Sequence, residues 1–224
     1  MDEAITLRAL GALLTYPRAE LREALPEIGV ALASARCLPA ADRDRLAALI
    51  AEMRAHDGLD LEARYVELFD RGRATSLNLF EHVHGESRDR GTAMVELKQI
   101  YERAGYDLAS NELPDYLPVV LEYLSCRDIA EARAMLGDCA HILRAVGEAL
   151  NRRGSRYAAV FAALLAAVGE PGLDARQPAE APPPEPAIDD DWAEAPAFAS
   201  PRAGSGAPEV APVHFVPRKA DRSA

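Results

Sequence analysis

Lysine, cysteine and tryptophan are scarce in this chain of 224 residues. Nearly all of its basic residues are arginine, because only Lys98 and Lys219 are lysine, and Trp192 is the single tryptophan. The three cysteines form no Cys-x-x-Cys pair, which excludes the common zinc and thiol redox motifs. Their odd number favours reduced thiols and therefore a cytoplasmic location.

Long apolar runs and glycine-rich loops are also missing. No apolar stretch approaches the roughly 20 residues of a membrane-spanning helix, and the N-terminus lacks the basic start of a signal peptide. Gly72, Gly85 and Gly91 do not have the spacing of a phosphate loop or a dinucleotide fingerprint, and no nucleophile elbow occurs. We therefore expect no membrane insertion, no resident metal or nucleotide, and no enzymatic activity.

The balance of charge is strongly acidic, with a formal charge of -11 at pH 7. An acidic surface repels the phosphate backbones of DNA and RNA. This composition argues against general nucleic-acid binding and favours a basic protein partner.

Apolar residues recur at helical spacing through most of the first 168 residues, and no segment alternates with the two-residue period of a strand. Asp60, Ser87 and Asn111 are predicted as N-caps, and the period from Ile129 to Leu150 is continuous. The fold class is therefore all-α, a compact helical bundle. The predicted helices cover residues 4–14, 19–35, 39–55, 60–69, 87–104, 112–125, 128–150 and 155–168.

The composition changes after Gly169, because eleven of the 16 prolines lie in the residues that follow it. We predict one helical domain at 1–169 and a disordered, proline-rich tail at 170–224. Two short islands, around Trp192 and Phe215, interrupt this tail. Acidic residues around an aromatic anchor suit docking on a basic, partly apolar surface, and a simple linker is the alternative.

The segment from Phe69 to Arg90 is the longest polar connection of the predicted bundle. It carries four arginines, two histidines and acidic residues, and it shows no sustained helical or strand period. Ordering such a segment costs conformational entropy, so a functional role is one interpretation, and an exposed ion-paired loop is the other.

His82, His84 and Glu86 are the best candidates for a metal site. In an extended segment, His-x-His places both imidazoles on one side, and a carboxylate could complete the site. No remote cluster of histidine or cysteine joins them, so histidines ion-paired beside the neighbouring arginines are the preferred interpretation.

The predicted helix at 112–125 carries two stripes. Glu112, Asp115 and Glu122 are three and seven residues apart, which places three carboxylates on one side, and Tyr116 and Tyr123 mark a second side. An acidic edge beside an aromatic strip would accept a basic amphipathic peptide helix, whereas a core helix with a solvated acidic face is the plainer alternative.

Three motifs together resemble one known family: LFDRGRATSLNLFEHVHGESRDRGTAM, LPDYLPVVLEYLS and SRYAAVF. The resemblance is to the NarJ, or delta-subunit, family of respiratory nitrate reductase chaperones, within the wider TorD/DmsD group of molybdoenzyme chaperones. It covers roughly residues 1–168. It implies an all-helical cytoplasmic chaperone that binds the N-terminal segment of the apo catalytic subunit.

The same resemblance implies a mechanism. Binding would hold the catalytic (alpha) subunit open for insertion of the molybdenum cofactor and delay its docking at the membrane. The chaperone would have no cofactor of its own, and cofactor-biosynthesis proteins would be further partners. A chaperone for another molybdoenzyme and a small helical metalloprotein using His82 and His84 are the alternatives.

The resemblance also carries over a set of residues. Its central motif spans Asp70 to Arg90, and a second motif spans Glu112 to Pro118, where Tyr116 replaces the histidine more usual in the family. The predicted client-binding residues are Tyr65, Phe69, Asp70, Arg71, Arg73, His82, His84, Glu86, Glu112, Asp115, Tyr116, Leu117, Glu122 and Tyr123.

Overall fold

The computed structural model describes residues 2–85, 87–109 and 111–173. Over these ranges the chain forms ten α-helices and no strand, which confirms the all-α prediction. A single 3-10 turn at Arg73–Thr75 lies between the fourth and fifth helices. The helices are α1 (Asp2–Leu13), α2 (Ala19–Ser34), α3 (Ala40–Ala55), α4 (Gly58–Phe69), α5 (Leu79–His84), α6 (Arg88–Arg103), α7 (Leu117–Ser125), α8 (Ile129–Asp138), α9 (Ala140–Arg152) and α10 (Ala158–Ala167).

The core is built around α10, whose residues from Ala158 to Leu165 are all buried. This helix packs against α3 and α9, while α1 packs against α7 and α2. The helix is rich in alanine, which allows its neighbours to approach closely on every side. A helix that is apolar all round is expected at the centre of a bundle, and α10 occupies that position.

The predicted start of the fourth helix and the predicted continuity of the helix at 128–150 are wrong. The fourth helix begins at Gly58 because Asp57, rather than Asp60, is its cap: the Asp57 carboxylate accepts a hydrogen bond of 3.0 Å from the backbone N–H of Asp60. The predicted helix at 128–150 is two helices, which meet at Cys139. Leu136 and Leu143 remain on the buried side across this break, so the apolar period continues although the helix does not.

The described chain stays packed against the bundle after α10, as far as Leu173. The Leu173 side chain is buried and packs closely against Gly147. A Cβ on this glycine would stand 2.7 Å from Leu173 Cδ1. Arg144 donates hydrogen bonds to the carboxylate of Glu170 and the carbonyl of Pro171, at 3.3 and 2.9 Å. The first four residues of the predicted tail are thus packed on the bundle, whereas residues 174–224, with the islands at Trp192 and Phe215, lie outside the described ranges and their predicted disorder stays a prediction.

Candidate functional site

The polar segment between α4 and α6 contains two short elements, the 3-10 turn and α5. After α4 the chain makes the 3-10 turn, and the buried Thr75 hydroxyl donates to the backbone carbonyl of Leu68. Leu77 and Leu79 are buried and anchor the middle of the segment. As the lack of a sustained period indicates, the segment is not helical throughout, but it contains α5, whose six residues are too few to display a period in the sequence.

Arg73 holds the C-terminal end of α5 in place. Its guanidinium donates from Nε and Nη2 to the carbonyl of Glu81, at 3.1 and 2.5 Å. This carbonyl lies in the last turn of α5 and also accepts a hydrogen bond of 3.2 Å from the N–H of Gly85, so Arg73 adds to the last hydrogen bond of the helix. Gly85 ends the helix with a φ of 58° and lies so close that a Cβ there would stand 2.9 Å from Arg73 Nη2. Glycine is required here by both the backbone and the arginine.

Arg90 at the start of α6 faces the same helix. Its Nη2 lies 3.1 Å from Glu81 Oε1, and both side chains are largely buried. Burial opposes ionisation of Glu81, but hydrogen bonds from Ser76 and Arg90 and the charge of Arg90 outweigh it, so the pKa of Glu81 is lowered. The ion pair therefore fixes the relative position of α5 and α6.

These elements enclose an open cleft of about 710 Å³. Three arginines and two carboxylates contribute to its wall, and the aromatic ring of Phe69 provides an apolar part. We call this space the arginine cleft. Its lining residues are Phe69, Asp70, Arg71, Gly72, Arg73, Ser76, Asn78, Glu81, Gly85 and Arg90.

The segment before α7 supports the cleft from behind. The predicted helix at 112–125 is wrong in its first part, because α7 begins only at Leu117. The preceding residues run antiparallel to 77–79: the N–H of Leu79 donates to the carbonyl of Asp115 at 3.0 Å, and the N–H of Leu117 donates to the carbonyl of Leu77 at 2.8 Å. This pairing joins two parts of the chain about 38 residues apart.

Asp115 is the carboxylate that this pairing buries. Its side chain is 0% exposed, and Oδ2 accepts a hydrogen bond of 3.0 Å from the N–H of Phe80 in the first turn of α5. The second oxygen has no partner among the described residues. Burial raises the pKa of Asp115, while the Phe80 N–H and the charge of Arg90 act in the opposite direction. Asp115 thus caps α5 from another part of the chain.

The predicted acidic stripe is therefore wrong. Glu112 precedes α7 and is exposed, Asp115 is buried beneath α5, and only Glu122 lies on α7, where it is exposed. The three carboxylates do not form one edge because the residues before Leu117 are not helical. A basic peptide cannot contact Asp115 in this conformation.

The predicted aromatic strip of Tyr116 and Tyr123 is also wrong as an exposed surface, because Tyr123 is buried and Tyr116 is half-buried, and the neighbouring Leu117 belongs to the core. Leu117 is 1% and Tyr123 6% exposed. The Tyr123 ring packs against Tyr101, with centroids 4.5 Å apart, and against Tyr106 at 5.9 Å. The hydroxyl of Tyr101 in turn donates to the carbonyl of Pro114 at 2.8 Å, which holds the entry to α7.

Tyr65 and Tyr116 form a hydrogen-bonded pair rather than a surface. The hydroxyl of Tyr65 donates to the carbonyl of Leu14 at 2.8 Å and lies 2.9 Å from the hydroxyl of Tyr116. Burial raises the pKa of both phenols, so they stay neutral. Tyr116, at the position where the family resemblance implies a histidine, therefore links α4, the start of α7 and the end of α1 in this chain.

The two histidines do not converge. They lie in α5, two residues apart, so their side chains leave the helix on different sides rather than on one side of an extended segment. His82 Nε2 lies 2.9 Å from the carbonyl of Ser76, and the His84 ring packs edge-on to Phe80 at 5.8 Å. The expected His-x-His geometry is wrong, and Glu86 lies outside the described residues. Within the described ranges, no group of three or more histidine, cysteine or acidic residues could hold a metal ion.

Comparison with known proteins decides the family. The family model of the nitrate reductase delta subunit matches residues 17–163. The chain belongs to this family. It is 49% identical over 161 residues to the nitrate reductase molybdenum cofactor assembly chaperone NarJ of Escherichia coli K12. The aligned residues cover 72% of this chain and 68% of that protein.

More distant relatives agree. A NarJ-type assembly chaperone of Bacillus subtilis is 31% identical over 172 residues, covering 77% of this chain and 92% of that protein. A crystal structure from Archaeoglobus fulgidus, described as a redox enzyme maturation protein, aligns with a TM-score of 0.53 at 17% identity, over 72% of this chain and 90% of that one. The last match supports the helical fold alone.

Family membership and the relatives' names confirm two predictions, namely a dedicated assembly chaperone and a protein that is not an enzyme. No helix within the described ranges has both the length and the apolar character needed to cross a membrane.

The arginine cleft unites part of the predicted site and adds to it. Phe69, Asp70, Arg71 and Arg73 line it, as the sequence suggested. Sequence reasoning did not assign the six other described lining residues to the site, although all of them lie within the polar segment that it singled out: Gly72, Ser76, Asn78, Glu81, Gly85 and Arg90.

Proposed function

We propose that this protein binds the N-terminal segment of the apo catalytic subunit of a respiratory nitrate reductase and releases it after cofactor insertion. The proposal rests on the family of the chain and on the names of its relatives as molybdenum cofactor assembly chaperones. Binding keeps the catalytic subunit open for the molybdenum cofactor and delays docking at the membrane. The cofactor is cargo for the client, and the chaperone acts in the cytoplasm without a cofactor of its own.

The observation that carries this proposal is the arginine cleft itself. It is formed by the segment from Asp70 to Arg90 that supports the resemblance to the family, and its walls are fixed by the Arg73–Glu81 and Arg90–Glu81 contacts. A cleft whose polar groups are held in place offers a binding surface with little ordering cost. Reversible binding energy is all that such a chaperone needs.

Exposed apolar side chains on α5 and on the segment before α7 supply a surface for the client. Val83 on α5 is 55% exposed, and Leu113, in the segment that pairs with the chain before α5, is 40% exposed. An amphipathic client helix would bury its apolar side against such residues. Burying a large apolar side chain contributes roughly 1.5–3 kcal/mol, which exceeds the roughly 0.2–1 kcal/mol of an exposed ion pair.

The test is titration calorimetry of the full chain with a peptide of the N-terminal segment of the catalytic subunit. Val83→Asp and Leu113→Asp should each weaken binding about tenfold, since a loss of about 1.4 kcal/mol corresponds to that factor. Val30→Asp is the matched control, because Val30 is 72% exposed on α2, a helix that contributes no described residue to the cleft. A parent chain that fails to bind the peptide, or three variants that bind as the parent does, would contradict the proposal.

A further inference from the structure

The arginine cleft is a local exception on a strongly acidic protein. The chain carries a formal charge of -11, yet the cleft presents three guanidinium groups, from Arg71, Arg73 and Arg90, against the carboxylates of Asp70 and Glu81. Among the residues that the structure describes, these groups leave the lining with one net positive charge. The sequence pattern led to the opposite expectation, a basic client on an acidic stripe, and that stripe is not present because Asp115 is buried.

Two of the guanidinium groups are held at the cleft by protein contacts. Arg73 is fixed by the carbonyl of Glu81, and Arg90 by the carboxylate of the same residue. The Arg90 Nε is buried and has no acceptor among the described residues. Because this nitrogen is shielded from solvent, a ligand in the cleft does not reach it, and Arg90 contributes a fixed positive charge rather than a free donor.

The third guanidinium belongs to Arg71, which is exposed at the edge of the cleft. A planar guanidinium recognises a carboxylate or phosphate through two parallel hydrogen bonds. A phosphate monoester would bring nearly two negative charges to a lining whose net charge is one, beside two carboxylates that repel it. A single carboxylate matches this lining.

We infer that the arginine cleft receives the carboxylate of an aspartate or glutamate in the client's N-terminal segment, with Arg71 as its hydrogen-bond donor and with Arg73 and Arg90 as positive charges held in place by Glu81. This inference rests on the proposed function and adds the chemistry of recognition. The client segment is otherwise basic, which suits an acidic partner, but it needs an acidic side chain at this one position. That requirement discriminates against cationic or apolar helices that lack the carboxylate.

The experiment is a double-mutant cycle measured by titration calorimetry on the full chain. In one arm each aspartate and glutamate of the client peptide is changed in turn to asparagine or glutamine. In the other arm Arg71→Gln is compared with Arg54→Gln, a control on α3 that is exposed and does not line the cleft. One peptide substitution should weaken binding three- to thirtyfold, Arg71→Gln should do the same, and the two together should weaken it no more than either alone.

A charge exchange makes the test specific. Arg71→Glu should weaken binding of the parent peptide further, and a peptide with lysine at the sensitive position should regain at least part of the lost affinity. The inference is overturned if the parent peptide binds but every neutralised peptide binds equally well, or if the effects of peptide and Arg71 substitutions multiply. It is also overturned if inorganic phosphate at millimolar concentration displaces the peptide, since the cleft would then be a phosphate site. Failure of the parent peptide to bind at all instead contradicts the proposed function.

Discussion

At the scale of single residues, Asp115 has the most informative environment. It is a fully buried carboxylate that caps α5 across the chain, with Arg90, Glu81 and the phenol of Tyr101 as the charged and titratable groups that act on it. Burial raises its pKa above the ordinary value. A carboxyl group with a raised folded-state pKa stabilises the fold most when protonated, and that contribution is lost as the pH rises from the ordinary aspartate pKa of about 3.9 through the raised value.

Asp115→Asn should therefore change how stability depends on pH. The asparagine amide keeps an acceptor for the Phe80 N–H but does not ionise. The variant therefore does not lose unfolding free energy at this position as the pH rises above about 4, whereas the parent does. Urea unfolding of both proteins between about pH 4 and 7 measures the difference in unfolding free energy, which should move in favour of the variant as the pH rises. A difference that stays constant over this range would show that burial does not disfavour the carboxylate.

Gly85 provides a second test at this scale. Its φ of 58° and ψ of -131° suit glycine alone, and an added Cβ would meet Arg73. Gly85→Ala should cost roughly 1–3 kcal/mol in backbone strain and displace Arg73 from the cleft. Gly91→Ala is the matched control, because Gly91 lies within α6 with nothing within 4 Å of the added Cβ, and there alanine should stabilise by roughly 0.5–1 kcal/mol. Equal thermal midpoints for the two variants would contradict this account.

At the scale of secondary-structure elements, the sequence predicts most helices because each buries one side at a regular period. The boundaries of α1, α2 and α6 lie within two residues of the expected ones. The break at Cys139 is hidden because α8 and α9 bury the same side of the chain on both sides of it. A break that preserves the apolar period leaves no trace in that period.

The entry to α7 could not be predicted for a different reason. Asn111 and Pro114 are acceptable at a helix start, so local propensity favours a helix from 112. The backbone groups of Asp115 and Leu117 instead pair with residues 77–79. That pairing depends on a distant part of the chain, and no local pattern indicates it. The site predicted on this helix failed for the same reason, since the carboxylates share a stripe only if the whole segment is helical.

The segment after α10 gives a prediction about element boundaries. A chain cut after residue 169 loses Leu173, which packs beside Gly147, and the contacts of Arg144 with Glu170 and Pro171. It should be less stable by roughly 1.5–3 kcal/mol, the contribution of one buried leucine. A chain cut after Leu173 keeps these contacts and should melt as the full chain does. Thermal unfolding of the three proteins checks this, and identical midpoints would mean that Leu173 contributes nothing.

At the scale of the whole molecule, long-range charge and local charge have opposite signs. The net charge is -11, and most of it remains without the tail, because residues 174–224 hold nine acidic and five basic residues. The arginine cleft adds a positive site within this negative field. On the proposed function, a basic client segment would be attracted by the field at a distance, and its carboxylate would be held by guanidinium groups only after contact. The field governs encounter, whereas close pairs govern release.

Association and dissociation rates with the client peptide should therefore respond to different changes. Raising the salt concentration from about 0.05 to 0.5 M shortens the screening length and should slow association roughly tenfold or more, with little effect on dissociation. Arg71→Gln should leave association nearly unchanged and speed dissociation, because it removes a contact made only in the complex. The chain cut after Leu173 should keep most of the salt dependence. Stopped-flow fluorescence with a labelled peptide separates the two rates, and an association rate that does not depend on salt would show that the acidic field does not steer the client.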